Sequence, residues 1–193
     1  MRRLDDRRRK SRALVRAWLL ALGIGIGLWP ATQAHAHEDG KHDEGDSAAR
    51  FMIGVDLSRI VSVSLRGIKV GNGMALRLGG ELDALIITMI PEAIFSYDAF
   101  DDSGLNVSSA RAGGRLRFLK VLEPGLFLHA GVASVDPGAA YWSPMLDGGL
   151  TLDFTLLPLI DLGVHAAYDG VLASGHHAAF GYGSAGAHVA FVF

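Results

Sequence analysis

One set of ionisable residues in this chain recurs at even spacings. Arg77, Glu81 and Asp83 form one group and Arg111, Arg115 and Arg117 another. Asp147 with Asp153, Asp161 with His165, and His188 complete the set. Residues an even number of positions apart share one face of an extended chain. Brought together inside a fold, such a set supports two kinds of chemistry. Guanidinium groups and carboxylates pair with one another and with water, filling an interior and fixing its register. Alternatively, charged side chains line a narrow path for small solutes or ions, as rings of charge do in selective pores. Here both signs are interleaved, which favours pairing.

Nucleophilic catalysis needs a hydroxyl beside a base that a third group orients. His165, Asp169, Ser174, His176, His177 and Ser184 offer the residue types, without a recognisable motif. No glycine-rich loop leads from a strand into a helix, so nucleotide binding has no support. Cys is absent, which excludes a disulfide scaffold and a thiolate metal site. His37 and His42 stand among carboxylates in HEDGKHDEGD, a run read as a solubilising spacer rather than a metal site. The expectation is a non-enzymatic protein with no catalytic residues, no cofactor and no metal. Tyr141 and Trp142, between Pro137 and Pro144, are the aromatic lead. They suit anchoring at a headgroup layer or contact with a surface partner.

The elements that must carry these residues alternate with period two, the pattern of strands. Residues 74–87 set Leu76, Leu78, Leu82 and Ile86 against Arg77, Glu81 and Asp83. Residues 106–119 set Ala110, Leu116 and Phe118 against three arginines, and 146–156 set Leu150, Leu152 and Phe154 against Asp147, Thr151 and Asp153. Residues 51–68, 92–100, 126–135, 159–169 and 180–193 alternate likewise, which predicts eight strands. Turns are expected at 69–73, 88–91, 120–124 and 157–158, and loops at 101–105, 136–145 and 170–179. Arg59 interrupts an otherwise apolar face, so residues 51–68 form either one long strand with Arg59 near a membrane interface, where its charge is tolerated, or two short strands; counted as one, they bring the number to eight. Short turns at one end, longer loops at the other and an even strand number form the outer-membrane pattern.

The closing stretch, FGYGSAGAHVAFVF, puts Phe193, Phe191, Val189, Ala187 and Ala185 on one apolar face and ends on an aromatic ring. On that alternation and that terminal Phe193, the chain resembles the small eight-stranded outer-membrane β-barrels of the OmpA and OmpX type. The resemblance implies an all-β, transmembrane, up-and-down barrel over residues 50–193, with outer-membrane lipid around it. It also implies the barrel-assembly machinery as the reader of the last strand, and a structural or surface-contact role in the envelope. A small-solute channel and a lipid-modifying barrel enzyme are the other roles such barrels suggest. A soluble, exported β-sandwich or lipocalin-like barrel would use the same alternation with its faces reversed. Leu-rich faces and frequent Ala and Gly opposite them favour the membrane form.

The first 36 residues hold a basic region, an apolar run from Ala17 to Trp29 and the small-residue site Ala34-His35-Ala36. This predicts a secretory signal peptide over 1–36, then an acidic, His-containing tail over 37–49. Removing that segment's eight basic and two acidic residues leaves ten basic against eighteen acidic, which argues against nucleic acid as a partner.

Overall fold

The computed structural model describes residues 50–193, apart from residues 65, 66, 85, 102, 120 and 158. The expected signal peptide and tail, with His37 and His42, lie outside the described residues. The described chain forms eight strands: β1 (Arg50–Ser64), β2 (Gly67–Ala84), β3 (Ile87–Phe100), β4 (Asn106–Phe118), β5 (Leu122–Asp136), β6 (Tyr141–Leu157), β7 (Ile160–Val171) and β8 (Phe180–Val192). Each pairs antiparallel with the next, and β1 pairs with β8, so the sheet is a closed barrel. Closure leaves no strand edge with unpaired backbone groups, the condition for a sheet to cross lipid. The seam extends to the last residue: Phe51 N–H donates to Phe193 O (3.1 Å) and Phe193 N–H to Phe51 O (2.8 Å).

Connections at the end holding the termini are residues 85–86, 119–121 and 158–159. Those at the other end are 65–66, 101–105, 137–140 and 172–179. We call these the turn end and the loop end. Several turns lie away from the positions the sequence suggests. Lys69 to Gly73 belongs to β2, not to a turn. Gly71 and Gly73 serve close approach there: a Cβ on Gly71 would meet Phe100 Cα at 2.8 Å, and one on Gly73 would meet Ser58 Oγ at 2.6 Å. Thr88 to Pro91 lies within β3, with Pro91 on the outer face. Glu123 and Pro124 lie within β5, and the preceding turn is made with Leu119 at φ 71°. Tyr141 and Trp142 open β6 instead of sitting in a loop.

The two faces of the sheet differ completely. Outward side chains include Leu57, Met74, Leu128, Leu150 and Val164, all exposed. Among the described strand residues, the charges on that face are Arg59 and Asp136, both toward the loop end. Outward tyrosine and tryptophan (Tyr97, Trp142, Tyr168) gather toward the loop end. Outward Phe51, Phe118, Phe154, Phe191 and Phe193 gather at the turn end. An apolar belt between two aromatic girdles is the surface of a lipid-embedded barrel. Between Phe51 and Arg59, β1 rises roughly 26 Å along the strand at about 3.3 Å per residue. Tilted, that is close to the height of an apolar band of about 25 Å, so Arg59 lies at its border. There it donates to Asn72 Oδ1 (2.9 Å) and pairs with Asp101 (3.3 Å).

Candidate functional site: the barrel lumen

An eight-stranded barrel encloses just enough space for its own side chains. The inward parity of each strand decides which ones enter. All of Arg77, Glu81, Arg111, Arg115, Arg117, Asp147, Asp153, Asp161 and His188 are buried inside, with Asp83 and His165 half-buried.

At the turn end, Arg117 is the hub. Its guanidinium bonds Glu81, donates to Asp161 Oδ2 (2.7 Å) and faces Glu123 Oε2 at 3.3 Å. Arg50 reaches Glu81 (2.8 Å) and Asp83 (3.2 Å) from the opening. Thr155 Oγ1 lies 2.8 Å from Glu123 Oε1 and 2.9 Å from Asp161 Oδ1, within donating reach of both carboxylates.

In the middle, Arg115 donates to Glu92 Oε2 (3.0 Å) and Asp153 Oδ2 (3.4 Å). His129 bridges Glu92 (3.0 Å) and Asp147 (3.1 Å). Arg77 donates through Nε (2.9 Å) and Nη2 (2.6 Å) to Asp56 Oδ2. Above these, Arg111 joins Asp169 (2.6 Å) and Asp147 (3.2 Å) and donates to Ser96 Oγ (3.1 Å). Tyr182 donates to Asp98 Oδ2 (2.8 Å).

Over this network the chemistry changes. Ile60, Phe100, Val107, Ala133, Val135, Met145, Val171 and Tyr182 pack together at the loop end, with Leu105, Tyr141 and Phe180 against them. This apolar cap closes the lumen beneath the loops. Among the charges lies a cavity of about 40 Å³ bordered by Asp56, Arg77, Arg111 and Asp169. That volume holds a few waters at most.

The sequence set omitted lumenal partners that the structure supplies. Asp56, Glu92, Asp98, Glu123, His129 and Asp169 are all buried inside. Their parity was a sufficient signal for all but Glu123, which the misplaced turn at 120–124 hid. With them, nine buried carboxylates face four buried guanidiniums among the described residues. Buried carboxyl groups therefore outnumber buried guanidiniums in the lumen. The aromatic pair is split: Trp142 points outward and is 66% exposed, whereas Tyr141 is half-buried and stacks on His177 with ring centroids 3.7 Å apart.

Ser184 Oγ donates to Asp169 (3.0 Å), and Ser174 meets His177 through backbone bonds.

A closed antiparallel barrel with a filled polar interior and an uncharged outer belt defines the outer-membrane β-barrel fold. The structure superposes on the crystal structure of neisserial surface protein A with a TM-score of 0.60 at 17% identity, covering 74% of this chain and 97% of that one. Ail of Yersinia pestis, solved with a heparin analogue, gives a TM-score of 0.49 at 15% identity over 75% of this chain and 99% of Ail. The outer-membrane enzyme PagL gives 0.48 at 16% identity over 70% of this chain and 97% of PagL. No protein-family model and no curated protein sequence matches the chain. The fold is that of the small eight-stranded outer-membrane barrels.

Proposed function

We propose that this protein is a sealed outer-membrane barrel that contributes to envelope structure or surface contact and neither conducts solutes nor catalyses a reaction. The observation that carries this reading is the double closure of the lumen. Interleaved ion pairs, with Met52, Ile90, Ala190 and Val192 packed beside them, fill its middle and turn end, and the apolar cap blocks its loop end. The surface left for contact is the loop end, where Trp142, His176 and His177 are exposed. The outward face of β8 at Phe191, with Phe193 beyond it, is the feature the barrel-assembly machinery would read. Phe193→Ala is then expected to lower the yield recovered in the outer-membrane fraction. The decisive measurement is single-channel recording of the purified protein in planar bilayers. Absence of steady conductance is the expected result; a reproducible conductance step makes the protein a channel instead.

A further inference from the structure

We propose that Asp56, His165 and His188 form a divalent-metal site inside the barrel, of the chemistry that takes zinc. The three residues come from β1, β7 and β8, the strands on either side of the seam where the barrel closes. Each offers a ligand atom, and the three atoms lie within 4.8 Å of one another. Two imidazoles and a carboxylate, with water completing the set, are a recurrent donor combination for Zn²⁺.

A second observation points the same way. Asp56 and His188 are each 6% exposed, yet both keep polar atoms without a hydrogen-bond partner. Arg77 occupies Oδ2 of Asp56 and leaves Oδ1 unpaired. His165 Nδ1 and His188 Nδ1 are likewise buried and unpartnered. Leaving buried polar atoms unmade is costly, and a cation that accepts their lone pairs removes the cost.

The surroundings fit as well. His188 Nε2 lies 2.8 Å from Asp153 Oδ1. Neither atom makes an aligned hydrogen bond there, so both nitrogens of His188 remain open to an ion. Gly163 makes this approach possible, since a Cβ there would meet His188 Nε2 at 2.6 Å. The surplus of buried carboxylates over guanidiniums offsets the added positive charge. Bound there, the ion would tie the first strand to the last two, so its effect would be on barrel stability.

The test uses the full chain without an affinity tag, refolded into detergent with chelator or with Zn²⁺, because the apolar cap closes the loop end. Zn²⁺ is expected to raise the unfolding midpoint of the parent, since a ligand that binds only the folded state stabilises it. Each protein is referenced to its own midpoint in chelator, and His165→Ala is expected to bind Zn²⁺ about tenfold or more weakly, by analogy with single perturbations at metal sites. The variant keeps His37, His42, His176 and His177, so binding at those positions cancels in the comparison. Co²⁺ on the parent should give the visible absorption of a four- or five-coordinate ion. An unchanged midpoint in the parent, an equal rise in His165→Ala, or a spectrum of fully hydrated Co²⁺ would each overturn the proposal.

Discussion

Arg115 and Leu128 lie one rung apart on paired strands: Arg115 faces Phe127 across β4 and β5, and the next rung joins Gly114 to Leu128. Arg115 is 2% exposed and Leu128 is 67% exposed. In a water-soluble domain both values would be backwards. In a lipid-embedded barrel both follow from one rule, since the outer solvent is hydrocarbon and the inner one is the protein's own polar atoms. The comparison also separates two kinds of cohesion. The outer face holds its place by matching the bilayer. The inner face holds its place by pairing, and a buried ion pair is worth keeping chiefly because breaking it is so unfavourable.

Removing the inner member should have the largest effect. Arg115→Ala takes from Glu92 and Asp153 the nearer guanidinium, leaving Arg77 and Arg117 at 3.9 Å, and the expected loss is about 3–5 kcal/mol in urea-driven unfolding from detergent. Adding Glu92→Ala should return part of that loss in a double-mutant cycle. Additive losses would mean the two residues do not act as a pair.

Reversing the outer member comes next. Leu128→Arg places a charge near the middle of the apolar belt, where the expected cost is about 2–4 kcal/mol. The readout is the fraction that inserts into lipid vesicles. Insertion equal to the parent would show that this face does not meet hydrocarbon.

The smallest effect sharpens the border between the two solvents. Arg59 shares Leu128's face but sits near the loop end, with its ion pair to Asp101 half-exposed. Arg59→Ala should change stability by about 1 kcal/mol or less, as for an exposed pair. A spin label at this position should report water or headgroups rather than hydrocarbon.

How far these features could be read in advance differs by feature. Parity was legible wherever large apolar and charged residues alternate, as in Leu76 to Asp83, because a strand allows only two faces. Turn positions were less legible. Gly71 and Gly73 have the composition of a turn, yet in the barrel they make room for neighbouring strands and for Asp98. Pro91 and Pro124 also resemble turn residues, but lie on the outer face of their strands.

The sequence alone determined the strand number and the division of each strand into an apolar and a polar face, because a period of two is a property of each strand that neighbours cannot alter. That the apolar face turns outward was decided by closure, since a soluble barrel uses the same alternation with its faces reversed. Which charges meet was decided by register for neighbouring strands, as for Arg77 and Asp56, and by closure for the rest. Arg111 and Asp169 are 58 residues apart, and Arg117 and Asp161 are 44 apart. They touch because the barrel brings non-neighbouring strands across a narrow interior. The apolar cap was decided the same way. Ile60, Phe100, Val107, Met145 and Val171 come from five strands. No local pattern marks them as one cluster until strand register sets them at the same height.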